Sequence, residues 1–258
     1  MFERLRARLA DGSYAMPFPP GPRSPLPERF RGRPVLDGSR CTPPCAECAA
    51  RSPSEVLQVG PDGRARLDLG ACLFAPEEAT ACPHGTVSFT NQYTMASSTR
   101  AGLVADAAPG ERVKELDQRM RGLFGRSLRL RSVAAGSCNG CEAELVALGN
   151  VVFDMARFGI QFVASPRHAD GIVLTGAVSR NMETALRATY EATPAPKLVI
   201  AVGACAINGG PFRGSPEVGN GAPPDLPVAL WIPGCPPHPL TVLDGLLGLL
   251  GRLERSER

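Results

Sequence analysis

Aromatic side chains make up only 5% of the 258 residues, with a single Trp, and there are three His. Nucleic-acid binders need stacking platforms and a basic footprint, and this chain offers neither, with no basic stripe along any predicted helix. Charge of one sign is equally scarce, since 28 Lys and Arg against 25 Asp and Glu leave a formal +3. No stretch reaches the ~18 consecutive apolar residues of a membrane span. The best candidate, residues 240–250, is short and contains Asp244. The first twenty residues carry Arg4, Arg6 and Arg8 but run on into Asp11, Gly12 and prolines instead of an apolar segment. That pattern argues against a secretory leader and for a cytoplasmic protein. A P-loop and a well-placed G-x-G-x-x-G are both lacking, which argues against a nucleotide site. At 43% hydrophobic and 21% charged, the composition excludes a disordered chain and supports one large or two small cores.

What the sequence does have is cysteine, nine in all. An odd number cannot pair completely, and disulfides are rare in the cytoplasm, so these residues are metal ligands, nucleophiles or buried thiols. Cys41, Cys45, Cys48, Cys72 and Cys82 lie in the first third, Cys138 and Cys141 in the middle, and Cys205 and Cys235 near the end. Two groups point to two sites.

Four segments follow from composition. Residues 1–40 hold eight Arg against four acids and are rich in proline from Pro17 to Pro34. They read as a basic arm suited to embracing a partner or approaching anionic lipid. Residues 41–95 form a small Cys-rich α+β unit, and residues 96–127 a polar linker with a possible exposed helix at 111–122. From 128 to 258, strands alternate with helices. The expected strands are Leu128–Ala135, Ile160–Ala164, Gly171–Thr175, Lys197–Val202 and Val228–Ile232. Leu145, Leu148, Val151, Val152 and Met155 recur at helical spacing with Gly159 as a stop, and further helices are expected at 181–192 and 239–253. Strands joined through helices give an α/β domain with a mostly parallel sheet covered on both faces.

Three of these strands run through glycine into cysteine: past Gly136 to Cys138 and Cys141, past Gly203 to Cys205, and past Gly234 to Cys235. The carboxyl ends of parallel strands share one edge, where ligands collect, so four thiols can meet there. Four soft thiolates suit zinc or an iron-sulfur cluster. One close pair joined by two distant single cysteines favours iron-sulfur over the paired knuckles of structural zinc. Buried inert thiols are the bland alternative.

The ordered set Gly136-Ser-Cys-Asn-Gly-Cys141 with Glu144, Ser165-Pro-Arg-His-Ala-Asp170, Leu174-Thr-Gly176, Gly203-Ala-Cys-Ala206 and Pro233-Gly-Cys-Pro-Pro237 carries a family resemblance. It resembles the small subunit of membrane-bound, energy-converting nickel-iron hydrogenases of the formate hydrogenlyase type, and the related 20 kDa subunit of complex I. Two residues separate Cys138 from Cys141, as in the hydrogenase branch, whereas complex I subunits have adjacent cysteines. The resemblance, over about residues 128–252, implies a flavodoxin-like domain in which Cys138, Cys141, Cys205 and Cys235 ligate one 4Fe-4S cluster at the interface with a large catalytic subunit. It also implies membrane-arm partners and a peripheral place on the cytoplasmic face of the inner membrane. Glu144 matches an acidic family position that could relay protons, with Glu142 as the alternative. A simple helix N-terminal charge explains either one equally well.

Residues 41–83 resemble a two-cluster bacterial ferredoxin, C-x2-C-x2-C-x3-C-P, in which the fourth Cys of each run serves the other cluster. The first run keeps Cys41, Cys45 and Cys48 but ends in Ser52-Pro53, with one extra residue after Cys41. The second keeps Cys72 and Cys82-Pro83 but has Ala75 and Glu78 between them. Crossing the runs gives one 4Fe-4S cluster on Cys41, Cys45, Cys48 and Cys82. Cys72 is left as a core thiol. The whole reads as an electron-transfer subunit with two 4Fe-4S clusters and no catalytic residue of its own. The alternatives are a subunit of a complex I-like quinone or other redox complex lacking nickel-iron, and a zinc-stapled scaffold. Residues 206–227, rich in Gly and Pro, are expected to dock against the large subunit, since no segment looks long enough to cover the site.

Overall fold

The computed structural model describes residues 14–18, 26–37, 46–52, 54–61, 63–80, 85–105 and 113–253, with isolated positions before residue 14. The N-terminal part is built of short antiparallel pieces. Strand β1 (Pro34–Leu36) pairs with β4 (Val87–Phe89), while β2 (Leu57–Val59), β3 (Ala65–Asp68) and β5 (Val104–Ala105) form a second sheet in the order β2-β3-β5. Helices α1 (Ala46–Arg51) and α2 (Pro76–Thr80) complete it. Val56, Leu57, Leu67, Cys72, Phe74 and Val87 make a core of their own. At the end of β3 the Asp68 carboxylate accepts two hydrogen bonds from Arg100, at 2.8 and 2.6 Å.

The C-terminal half is a five-stranded parallel sheet of β6 (Leu128–Ala134), β7 (Ile160–Phe162), β8 (Gly171–Thr175), β9 (Leu198–Val202) and β10 (Val228–Ile232), in the spatial order β10-β9-β8-β6-β7. Counted within this sheet the order is 2-1-3-4-5, the flavodoxin-like arrangement, with its switch point between β6 and β8. Helices explain the unbroken apolar strands. Every residue of β8 and β9 is buried, because α4 (Gly140–Ala147) and α7 (Pro239–Leu249) cover one face while α5 (Arg180–Ala192) and α6 (Ala204–Asn208) cover the other. The apolar α7 is therefore a core helix, and among the described residues no helix is long and apolar enough to cross a membrane.

The strands match the sequence expectations closely, and the departures have local causes. The apolar spacing from Leu145 to Met155 is not one helix. Asn150 Oδ1 accepts hydrogen bonds from the backbone N–H groups of Val152 and Phe153, an Asx turn that ends the helical register just after Gly149. Val151 is left 72% exposed, and Met155–Phe158 restarts only as a 3-10 turn. The last helix stops at Leu249 with Gly251 in the left-handed region, at φ 65°. Helix α3 (Gln118–Phe124) starts where Asp117 Oδ1 accepts from Met120 N at 2.9 Å.

Segments read as arm and linker are packed on the chain itself. Ser97 and Trp231 exchange backbone hydrogen bonds of 3.0 and 2.8 Å, which closes the open edge of β10. Met16 N donates to Val152 O at 2.7 Å, and Phe18 meets Phe158 edge-on at 6.2 Å. Met16 and Phe18 of the arm thus lie against the C-terminal domain, while Pro34–Leu36 is built into the N-terminal unit through β4.

Candidate metal centre

All four cysteines of the C-terminal set follow the carboxyl ends of strands. After β6 the chain turns at Gly136 (φ 84°) and at Asn139 (φ 69°), presenting Cys138 just before α4 and Cys141 within its first turn. After β9, Gly203 (φ 90°) leads into α6 and Cys205, and after β10, Gly234 (φ 152°) leads into Cys235. The glycines also make room. A Cβ on Gly203 would stand 2.5 Å from Cys141 Sγ, and one on Gly210 would stand 2.8 Å from Cys205 Sγ. The missing side chain at the end of one strand is thus the space filled by a sulfur from another.

Cys141 and Cys205 are buried, Cys235 is half-buried and Cys138 is exposed. Burial pushes the Cys141 thiol well up, and Glu142, Cys205, Cys235 and Cys138 push it further by charge. Cys205 is pushed up to about 11, first by burial and then by Cys235 and Cys138. Cys235 is raised by burial and by Cys138. Thiols from three strand ends are therefore electrostatic neighbours, each opposing the ionisation of the next. Ligation by a cationic metal or cluster core reverses that balance, because only the thiolate binds. The soft donor set and the glycine notches under two of the sulfurs fit an iron-sulfur cluster. Among the described residues no group of three His, Cys, Asp or Glu side chains is gathered as a site for a single metal ion.

The two acids after Cys141 part company. Glu142 Oε1 accepts hydrogen bonds from Ser137 Oγ at 2.8 Å and from Thr175 Oγ1, which ties it to the loop that carries Cys138 and to the end of β8. Glu144 lies instead on the wall of a cavity of about 440 Å³ together with Phe30, Phe74, Met95, Cys235 and His238, and burial raises its pKa. His168 is exposed in a 3-10 turn leading into β8, at the opposite edge of the sheet from the cysteines. The sequence assigns His238 no role, yet it is built into the site's surroundings. Its Nδ1 accepts from Leu240 N at the start of α7, its ring meets Phe30 and Phe153 edge-on, and burial lowers its pKa. Pro239, at the first position of α7, was the available signal for that cap.

Residues 206–222 fold back on their own chain, through Ala222 N to Ala206 O at 2.8 Å and Gly219 N to Val178 O at 2.9 Å. Residues 29–31 and 73–76 share the cavity wall with Cys235. The chain's own residues thus flank Cys235, and Cys138 is the exposed cysteine of the four.

Of the N-terminal set, Cys41, Cys45 and Cys82 lie outside the described residues, as does the side chain of Cys48, whose backbone belongs to α1. Cys72 is fully buried in the small core, accepts from Phe74 N at 3.3 Å and is pushed up to about 12, mainly by burial. It packs as a core thiol. Glu78, between Cys72 and Cys82 in the chain, is buried and accepts from Ser54 Oγ.

The family model described as NADH ubiquinone oxidoreductase, 20 Kd subunit, matches residues 138–249. The probable membrane-bound hydrogenase subunit mbhJ of Pyrococcus furiosus is 42% identical over 147 residues, 55% of this chain and 87% of that protein. Formate hydrogenlyase subunit 7 of Escherichia coli is 44% identical over 131 residues, 51% of either chain. An NADH-quinone oxidoreductase subunit of Bacteroides thetaiotaomicron is 45% identical over 128 residues, 49% of this chain and 64% of that protein. A solved structure of the membrane-bound sulfane sulfur reductase, an archaeal respiratory membrane complex, aligns with 55% of this chain and 78% of its own at a TM-score of 0.46 and 32% identity.

Proposed function

The chain belongs to the family of the 20 kDa subunit of NADH ubiquinone oxidoreductase, and on that premise we propose that it is the iron-sulfur electron-transfer subunit of a membrane-associated, hydrogenase-like complex. Cys138, Cys141, Cys205 and Cys235 hold one 4Fe-4S cluster. Cys41, Cys45, Cys48 and Cys82 hold a second in the N-terminal unit. A bound cluster supplies one-electron redox chemistry; the protein contributes burial, charge and position. Gly203 and Gly210 leave the sulfurs their space, and residues 29–31 and 73–76 keep bulk water from the Cys235 side. Exposed Cys138 faces the catalytic large subunit, and membrane-arm subunits hold the assembly at the cytoplasmic face.

The convergence of four thiols from three strand ends on one sheet edge carries this reading. The hydrogenase branch is favoured by the spacing of Cys138 and Cys141. Likeness to an NADH-quinone oxidoreductase subunit supports a second reading, in which the same protein serves a quinone-linked complex without nickel-iron. Anaerobic purification from native membranes tests the proposal. The expected result is a complex containing a large subunit, with broad visible absorption that bleaches on reduction. A colourless, oxygen-stable monomer carrying no iron overturns it.

A further inference from the structure

In doubly wound sheets the crevice beyond the switch point is where a ligand is bound. Here that crevice, between the ends of β6 and β8, is closed by the protein. A Cβ on Gly176 would stand 2.8 Å from the carbonyl carbon of Gly136, so the two loops touch. Strand β8 contributes no cysteine. It contributes Thr175, fully buried, whose hydroxyl donates to Glu142 Oε1. Ser137, in the loop that carries Cys138, donates to the same oxygen at 2.8 Å. One carboxylate therefore ties the paired-cysteine loop to the strand that supplies no ligand. Its second oxygen, Oε2, is shut off from solvent with no hydrogen-bond partner among the described residues. Glu142 follows Cys141 directly in the chain, and its bond to Ser137 reaches the neighbour of Cys138.

A buried carboxylate oxygen without a donor is costly. Two hydroxyls hold the carboxylate through its other oxygen, Oε1. We propose that Glu142 is a positioning residue that locks the Cys138–Cys141 loop to β8 and sets its charge against the ligand sulfurs, lowering the reduction potential of the group they hold. This inference rests on the reading of the C-terminal cysteines as a cluster site. It assigns the role to Glu142 and not to Glu144, which lines the cavity beside Cys235.

The test is a redox titration of the C-terminal cluster, followed by electron paramagnetic resonance in the whole complex, with iron counted in parallel. Glu142→Gln keeps an acceptor for Ser137 and Thr175 and removes the charge. Iron content should stay at the wild-type level while the midpoint potential rises. At a fixed ambient potential the ratio of reduced to oxidised cluster should increase at least about threefold, the scale of one charge acting through partly screened protein. A loaded Glu142→Gln protein with an unmoved potential overturns the inference. Should that variant fail to load, the potential is read in Ser137→Ala and Thr175→Val, each of which removes one donor and leaves the charge. A displaced potential in either supports the proposal, and unmoved potentials in both overturn it. A wild-type protein without iron at these cysteines would instead sink the cluster reading itself.

Discussion

Gly203→Ala is the substitution that most sharply separates a ligand cradle from an ordinary strand end. Gly203 sits at φ 90°, ψ 156°, a region open in practice only to glycine, and forcing another residue there costs about 1–3 kcal/mol. The added methyl would also stand 2.5 Å from Cys141 Sγ. Cys141 is buried, so its sulfur has little room to swing aside, and overpacking of this kind adds about 1–3 kcal/mol. Gly63→Ala is the control: it also has a positive φ, 73°, but nothing lies within 4 Å of the added Cβ, so it carries backbone strain alone. Denaturant unfolding of both proteins, with iron counted after anaerobic purification, gives the comparison. Gly203→Ala should lose the C-terminal iron and destabilise the chain by about 2–6 kcal/mol, the sum of the two costs. Gly63→Ala should keep its iron. If Gly203→Ala retained full iron and lost no more stability than Gly63→Ala, the reasoning from the notch would be refuted.

Cys72→Ser should leave the iron content unchanged while lowering stability by about 1–3 kcal/mol, because a hydroxyl is buried in an apolar core; a parallel loss of iron would make Cys72 a ligand. Glu78 has its folded pKa raised above 4.5, chiefly by burial. As pH climbs past 4.5 the unfolded chain gives up its proton first, so stability is greatest below that value and declines until the folded carboxyl also ionises. Glu78→Gln should flatten that slope in unfolding measurements at several pH values, and an unchanged slope would contradict the assignment.

The strands were legible because burial on both faces writes itself into composition. Gly171–Thr175 and Leu198–Val202 are apolar or small throughout, and no amphipathic helix reads that way. The placement of Cys138, Cys141, Cys205 and Cys235 was legible for a related reason, since glycine followed by cysteine recurs at strand ends and a parallel sheet gathers those ends on one edge. The helix beyond Ala147 was over-read because apolar periodicity continues across Gly149 and Asn150, while the Asx turn that breaks it depends on one side-chain oxygen. Glu142 could not be chosen over Glu144 from sequence, because its partner Thr175 belongs to another strand. The packing of Met16, Phe18, Ala96 and Ser97 on the C-terminal domain was hidden for the same reason: polar and proline-rich segments carry no period that says which surface they will meet.

Metal and sulfide analysis of the anaerobically purified chain tests the central claim most directly. Two cubane clusters predict about eight iron atoms and about eight inorganic sulfides per chain, without stoichiometric zinc. Iron near four would remove one site, and iron near twelve would recruit Cys72 into a third. Zinc at one or two per chain with neither iron nor sulfide would contradict the account outright.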